Sequence, residues 1–249
     1  MSGHSKWSTI KRQKQSEDKK RGQAFTKLAR AITLAVSEAG GNTDPGSNFK
    51  LRLGIEKAKQ YNMPKDNIAR AIERGSGTGD SAVVLELVVY EGYGPGGVGI
   101  IIESATDNKQ RTSAQVKHLL DRFGGSLGGS GSVAFQFEQQ GCIVIPRIGV
   151  SEDELFEKAV ASGATDMESD REVYEVYTAR QQLHTVSEVL KQSGVSFEDA
   201  KLVYRPTIIV PVTESGDASR LVSLLTELEE LDDVQAVYTN ADIKQEDSS

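Results

Sequence analysis

The sequence predicts a multi-domain protein of the α and α+β classes: an N-terminal three-helix domain, then a central α+β domain with a ferredoxin-like domain inserted in it. Three observations support this. The chain has 249 residues, more than one compact core usually needs. A glycine-rich stretch at residues 75–79 separates a helical pattern from a mixed one. After residue 141 the pattern is a complete β-α-β-β-α-β series. The predicted domains are therefore residues 1–80, residues 81–140 plus 206–249, and residues 141–205.

The N-terminal domain shows three runs of apolar residues at helical spacing. These runs predict a helix from about Ser16 to the Gly40-Gly41 stop, a second from roughly Asn48 to Tyr61, and a third from about Pro64 to Arg74. The last two helices, joined by a tight turn, fit either a DNA-reading helix-turn-helix or plain bundle packing. The side chains of the third helix that are able to read a groove are Lys65, Asn67, Arg70 and Arg74.

The central domain is predicted from β-branched runs and one helical run on each side of the insertion. Its elements are strands Val83–Tyr90 and Val98–Ser104, helix Lys109–Phe123, extended segments Ser132–Phe137 and Thr207–Val212, helix Ala218–Leu231 and strand Val234–Thr239. Those of the inserted domain are strand Cys142–Pro146, helix Glu152–Ser162, strands Thr165–Glu168 and Val173–Thr178, helix Gln181–Ser193 and strand Phe197–Tyr204. From Asp242 onward the sequence predicts a polar tail.

Charge is distributed unevenly along the chain. The formal net charge of −7 argues against a nucleic-acid partner if it is taken alone. However, residues 1–80 hold 16 Lys and Arg against 8 Asp and Glu, whereas the remaining 169 residues hold 13 against 28. Such asymmetry is typical of a basic segment that faces a polyanion.

Most of this positive charge lies in the first 30 residues. We expect the segment to contact nucleic-acid phosphates, because a flexible basic arm releases counterions from any phosphate backbone. The candidate residues are Lys6, Trp7, Lys11, Arg12, Lys14, Lys19, Lys20, Arg21, Lys27 and Arg30. Trp7 would stack on a base. The alternative is a solvated basic helix in which Trp7 only docks the tail onto the domain.

Two glycine motifs resemble catalytic or nucleotide-binding signatures but lack the required context. Residues 92–97 satisfy G-x-G-x-x-G, yet a β-branched run follows them, so no helix N-terminus is available for a pyrophosphate. Residues 124–128 satisfy G-x-S-x-G, yet a predicted helix precedes them where a nucleophile elbow requires a strand. We therefore interpret the first as a tight strand-to-strand loop and the second as a helix stop followed by a loop.

The other signals for chemistry are weak. Three histidines and one cysteine show no zinc spacing, and Glu229, Glu230, Asp232 and Asp233 are interpreted as a solvated helix end. Cys142 begins an apolar strand, which predicts a buried inert thiol, and a single cysteine fits a reducing compartment. No apolar stretch is long enough for a membrane span, and the basic start lacks the apolar core of a secretory signal. We therefore expect no enzymatic activity, cofactor, metal or small-molecule substrate, and no membrane partner.

Several motifs closely resemble the YebC/PmpR family. They are Gly3-His4-Ser5-Lys6-Trp7, Ile10-Lys11, Lys20-Arg21-Gly22, the Asn62-Met63-Pro64 turn with Asn67-Ile68 and Arg70-Ala71-Ile72, Tyr90 to Pro95, and Thr106-Asp107-Asn108 with Arg111-Thr112. Gln23 and Gln110 depart from it, standing where the family usually has lysine and asparagine. The resemblance runs from residue 1 to about 137 and more loosely to about 240. It implies the three-domain arrangement above, a cytoplasmic bacterial protein and no catalytic residue.

Two functions follow from this resemblance. One is a DNA-binding transcriptional regulator. The other is a ribosome-associated translation factor that binds ribosomal RNA and relieves stalling on proline-rich nascent chains. In the second, the mobile loops Gly92–Gly97 and Gly124–Gly131 would approach a functional centre. The candidate residues of a functional loop are Tyr93, Gly94 and Pro95, together with Asn108 and Arg111 of the family motif. Phosphates of DNA and RNA attract lysine equally, so composition leaves both functions open, as it does the oligomeric state.

Overall fold

The computed structural model describes residues 20–77 and 84–243, with side chains from residue 22 onward. Over these residues the chain forms two compact units. One unit is residues 138–205, and the other comprises the described residues before and after it. The architecture is multi-domain, with α and α+β parts, as the sequence predicts.

Three helices form the N-terminal part. They are α1 (Lys20–Glu38), α2 (Phe49–Gln60) and α3 (Lys65–Ser76). Asn48 caps α2, since its Oδ1 accepts the N–H of Leu51 at 3.1 Å while its Nδ2 donates to the carbonyl of Ala35 at 2.9 Å. Asn62 turns the chain with a φ of 57°. Pro64 lies at the N-cap of α3 rather than at its first helical position, because the helix begins one residue later than predicted.

Helices α1 and α3 pack closely through small residues. The core of this part contains Ile32, Val36 and Leu51, each fully buried. Gly75 lies so near α1 that a Cβ on it would be 2.4 Å from the carbonyl oxygen of Thr33. Thr33 Oγ1 also donates to the carbonyl of Ala71 at 2.8 Å. The two helix backbones therefore approach at a distance that only a residue without a side chain allows.

The body of this unit is a four-stranded sheet in the order β3-β1-β2-β9, with β1–β3, β1–β2 and β2–β9 antiparallel. Its strands are β1 (Glu86–Tyr93), β2 (Gly99–Thr106), β3 (Ser126–Leu127) and β9 (Val234–Thr239). Helices α4 (Lys109–Arg122) and α7 (Ser215–Glu230) bury leucines against one face, among them Leu120, Leu221 and Leu224. A two-stranded parallel pair of β8 (Val210–Val212) and β10 (Ala241–Ile243) completes the unit.

Several predicted segments of this unit differ from the structure. Strand β1 begins at Glu86 rather than at Val83. The predicted extended stretch Ser132–Phe137 contains a 3-10 turn at Ala134–Gln136, and Phe137 already belongs to the next strand. The predicted polar tail from Asp242 is wrong at its start, because Asp242 and Ile243 pair with Pro211 and Val212. Ile243 is buried in the body core, so backbone pairing and one apolar side chain extend the fold into a polar sequence.

The unit of residues 138–205 has the ferredoxin-like strand order β5-β6-β4-β7. Its strands are β4 (Phe137–Pro146), β5 (Asp166–Ser169), β6 (Val173–Ala179) and β7 (Asp199–Pro206). Its helices are α5 (Glu152–Ser162) and α6 (Leu183–Gln192), the latter preceded by a 3-10 turn at Arg180–Gln182. Strand β4 begins five residues earlier than predicted, because polar Glu138, Gln139 and Gln140 continue the strand, with Gln140 already paired to Ala179.

Candidate nucleic-acid interface

The predicted basic arm lies mostly outside the described residues. This applies to Lys6, Trp7, Lys11, Arg12, Lys14 and Lys19. Lys20 and Arg21 begin helix α1, but their side chains are also outside the described part of the chain. The role of these eight residues in nucleic-acid contact remains a prediction from sequence.

Helices α2 and α3 carry most of the basic residues of the N-terminal part whose side chains the structure describes. They carry Lys50, Arg52, Lys57, Lys59, Lys65, Arg70 and Arg74 against Glu56, Asp66 and Glu73. Lys59, Lys65 and Arg74 are exposed. Arg70 is also exposed, but its guanidinium donates to Asn67 Oδ1 and to the carbonyl of Asp66, so it lies along its own helix. The surface is positive, and a phosphate backbone reads charge rather than base identity.

Lys27 and Arg30 differ from the rest of the predicted set, because both bind the body of the unit. Lys27 Nζ donates to the carbonyls of Glu229 and Val234, each at 2.5 Å. Arg30 donates to the carbonyl of Ala105 at 3.1 Å and forms an ion pair with Asp233 at 2.8 Å. Their contact with phosphates stays a prediction, although the structure shows both side chains bound to protein groups. In this structure they attach α1 to the loop between α7 and β9.

Asp233 is the centre of this attachment and is only 4% exposed. Its Oδ1 binds Arg30, and its Oδ2 accepts from Arg111 at 2.7 Å and from the hydroxyl of Thr112 at 2.6 Å. Burial acts to raise the pKa of this carboxyl. The hydrogen bonds from Thr112 and Arg111 and the charges of Arg30 and Arg111 outweigh burial, so the pKa is lowered from its ordinary value. The interpretation of Asp233 as part of a solvated helix end is therefore wrong.

The Thr106-Asp107-Asn108 motif builds the start of helix α4. Asn108 Oδ1 accepts the N–H of Arg111 at 3.0 Å, which caps the helix. Its own N–H donates to Thr106 Oγ1 at 3.0 Å. The capped first turn then carries Arg111 to both Asp107 and Asp233. Two of the candidate loop residues, Asn108 and Arg111, thus have structural contacts while remaining exposed to solvent.

The glycine-rich segment around Tyr93, Gly94 and Pro95 is a tight connection between β1 and β2, as predicted. A 3-10 turn at Pro95–Gly97 reverses the chain, and the N–H of Gly94 donates to the carbonyl of Val98 at 2.9 Å. A Cβ on Gly94 would be 2.9 Å from Ile100 Cδ1. Pro95 is buried, and Tyr93 donates its hydroxyl proton to the carbonyl of Ser132 at 2.7 Å. The Tyr93 hydrogen bond therefore joins this turn to the loop that contains Ser132.

Glu91 is the residue of this region that sequence reasoning missed. The residue is 7% exposed, and its carboxylate accepts the N–H groups of Gly131, Val133 and Ala134 at 2.7 to 2.8 Å. Burial acts to raise its pKa, but these three backbone hydrogen bonds outweigh it and lower the pKa. The glycine loop at residues 124–131, expected to be mobile, is therefore fixed to β1 at its end. A single glutamate after the continuous apolar run Leu87–Tyr90 was the available signal.

The structure also describes the residues of the catalytic and metal-binding patterns considered above. No group of three His, Cys, Asp or Glu is arranged there to hold a metal ion. Ser126 lies in β3, after helix α4, so the arrangement is not that of a nucleophile elbow. Cys142 is buried, with 1% of its surface exposed. Over the same residues, no helix is long and apolar enough to cross a bilayer.

The fold defines a class of protein in which a basic three-helix part adjoins an α+β body that contains a ferredoxin-like insertion. Residues 5–78 match the TACO1/YebC protein N-terminal domain, and residues 85–241 match the TACO1/YebC second and third domain. The chain therefore belongs to the TACO1/YebC family.

Similar proteins match this chain over nearly its full length. A probable transcriptional regulatory protein of Persephonella marina is 47% identical, with 99% of this chain and 98% of the relative covered. A second, from Sulfurihydrogenibium sp. strain YO3AOP1, is 48% identical over 98% of this chain and 96% of the relative. The crystal structure of a conserved hypothetical protein, Aq1575 from Aquifex aeolicus, has a TM-score of 0.87 and 42% identity and covers 93% of this chain and 94% of that one.

Proposed function

We propose that this protein is a nucleic-acid-binding regulator of gene expression, of the DNA-binding transcriptional type. The observation that carries the proposal is the exposed positive surface of α2 and α3, with Lys59, Lys65 and Arg74 turned to solvent. The basic arm that precedes α1 adds to it. The acidic remainder of the chain would be repelled by the same polyanion, which limits the orientations in which the protein binds. We also propose a cytoplasmic location, because bacterial DNA lies there.

A second candidate is a ribosome-associated translation factor that binds ribosomal RNA. Arg70 favours it, because this guanidinium is held along α3 by Asn67 instead of projecting toward a base edge. Phosphate and shape recognition, without direct base readout, is the usual mode for structured RNA. The TACO1/YebC fold is common to both candidates and does not separate them.

The test compares two partners at one salt concentration, about 150 mM. Gel shifts measure binding to promoter DNA, and sucrose-gradient sedimentation measures association with ribosomes. Two variants of the basic N-terminal domain, here called the head variants, are compared. The first replaces Lys11, Arg12, Lys14, Lys20 and Arg21 with Glu, and the second replaces Lys59 and Lys65 with Glu. The matched control, K158E with K191E, makes the same change as the second head variant on helices α5 and α6.

Sequence-selective promoter binding that the head variants abolish and the control retains supports the transcriptional form. Ribosome co-migration with the same pattern supports the translational form. Equal loss in the head variants and the control would reject the basic surface as the interface. We also propose that the protein has no catalytic residue and no cofactor. C142A and S126A should therefore retain full function in cells, and loss of function in either variant would contradict this.

A further inference from the structure

One helix of the otherwise acidic body is basic. Helix α4 carries Lys109, Arg111, Lys117 and Arg122 against a single acid, Asp121. After residue 80 the chain holds 13 Lys and Arg against 28 Asp and Glu, so α4 alone contains four of those cations and one of those acids. A solvent-exposed helix of this body would be expected to carry more acidic than basic residues, as the body as a whole does.

The exposed side of α4 borders an open hollow beside strand β1. We define the β1–α4 hollow by its apolar lining of Val88, Tyr90 and Ala114 and its polar lining of Lys109, Gln110, Ser113 and Lys117. Strand β3 pairs with β1 only at Gly92 and Tyr93. Within the described part of the chain, the first part of β1 is therefore an uncovered sheet edge next to this hollow.

The two lysines of the hollow are available to an anion. Lys109 is 57% exposed and pairs with Glu86, and Lys117 is 61% exposed and pairs with Asp121. Exposed pairs of this kind stabilise a protein little, so a phosphate is able to replace the carboxylate. Gln110 and Ser113 lie between them and supply hydrogen-bonding groups, while Tyr90, Val88 and Ala114 supply apolar contact area for a base.

The hollow is also connected to the basic helices. Arg111, in the first turn of α4, shares the carboxylate of Asp233 with Arg30 of α1, at 2.7 Å and 2.8 Å. Asp233 therefore links α1 to the first turn of α4, which places the hollow in the same compact unit as the basic helices.

We propose that the β1–α4 hollow is a second nucleic-acid contact site that takes an unpaired nucleotide, with its phosphates at Lys109 and Lys117 and its base against Tyr90, Val88 and Ala114. The site rests on the proposed function in either of its forms and deepens it by naming the structural state of the nucleic acid. Duplex DNA keeps its bases stacked inside, so it can supply the phosphates but not the base.

The test uses the full-length protein and a labelled oligouridine of about twelve nucleotides, a length typical of single-strand binding sites. The variant K109Q with K117Q should bind about tenfold more weakly, and its salt slope should fall by about 1.4, since each lost phosphate contact removes about 0.7 for single strands. A114E should weaken binding by a similar factor through repulsion, whereas A114Q retains most affinity. The control K158Q with K191Q removes equal charge elsewhere and should bind as the unchanged protein does.

The outcomes separate this proposal from the one on which it rests. Oligouridine binding that K59E with K65E abolishes but K109Q with K117Q leaves unchanged overturns the hollow and keeps the proposed function. Unchanged oligouridine binding in K109Q with K117Q is also the result expected if the hollow binds a protein partner. The same variants are also tested with a duplex. If A114E and K109Q with K117Q weaken duplex binding as much as they weaken oligouridine binding, the base-binding part of the proposal is overturned. Absence of binding to any nucleic acid by the unchanged protein overturns both proposals.

Discussion

Asp233 shows how much one side chain determines in this protein. The sequence places it in an acidic run after a helix, where solvation is the ordinary expectation. The structure buries it between Arg30, Arg111 and Thr112. Nothing in a single sequence distinguishes Asp233 from Asp232, since the partners of Asp233 lie more than 100 residues away along the chain. Long-range pairing of this kind is the part of a site that local patterns do not contain.

We predict that D233N lowers the free energy of unfolding by about 3 kcal/mol, within the range for breaking a buried ion pair by removing one partner. The amide loses charge while two guanidinium groups stay partly buried around it. Urea unfolding followed by circular dichroism measures the change. D232N alters a neighbouring exposed carboxylate and should shift the midpoint little, so equal effects in the two variants would contradict the prediction.

Glu91 has a comparable role for the glycine loop. We predict that E91Q costs about 1–3 kcal/mol, since an amide has one oxygen and cannot accept all three N–H groups that the carboxylate accepts. Amide hydrogen exchange should accelerate at Gly131, Val133 and Ala134. The exposed neighbour variant E86Q serves as the control, and unchanged exchange at these three amides in E91Q would refute the proposed anchor.

At the scale of elements, periodicity and turn residues predict most helices well. Helix α5 begins and ends where predicted, and α4 begins at Lys109 as predicted, because Ser151 and Asn108 are strong N-caps. Strand limits are less accurate. Strand β1 is displaced by three residues at each end, since pairing with β2 decides where a strand starts and β-branched content does not. Sequence motifs identify Asn108, Arg111 and Tyr93 as candidate site residues. In the structure Asn108 caps a helix, Arg111 pairs with Asp233, and Tyr93 donates a hydrogen bond to a neighbouring loop.

The contact of α1 with α3 provides a test with an internal comparison. We predict that G75A destabilises the helical part by about 1–3 kcal/mol, because its Cβ would lie 2.4 Å from the Thr33 carbonyl and 2.8 Å from Val36 Cβ. G22A, in α1, has no atom within 4 Å of its Cβ. It should be neutral or stabilise the protein by up to about 1 kcal/mol through helix propensity. Thermal unfolding of the two variants distinguishes packing from propensity, and equal shifts would contradict the close approach.

At the scale of the whole molecule, one carboxyl group contributes to the pH dependence of stability. Folding lowers the pKa of Asp233 below its ordinary value of 3.8. Its stabilising effect is therefore complete above that pH and is lost as the pH falls through the lower pKa of the folded state. We predict that the stability difference between the unchanged protein and D233N is constant near neutrality and shrinks below about pH 4. Urea titrations at a series of pH values measure it, and a difference independent of pH down to pH 2 would contradict the assignment.

The strand order of the body also dictates when the molecule is able to fold during its synthesis. Strand β2 ends at Thr106, and its partner β9 begins at Val234. A ribosome must therefore translate more than 120 further residues before the second edge of that sheet exists. The ferredoxin-like unit, residues 138–205, closes entirely within that interval. The nested unit can reach its native state first, so the nascent body keeps an open β2 edge until β9 has been translated.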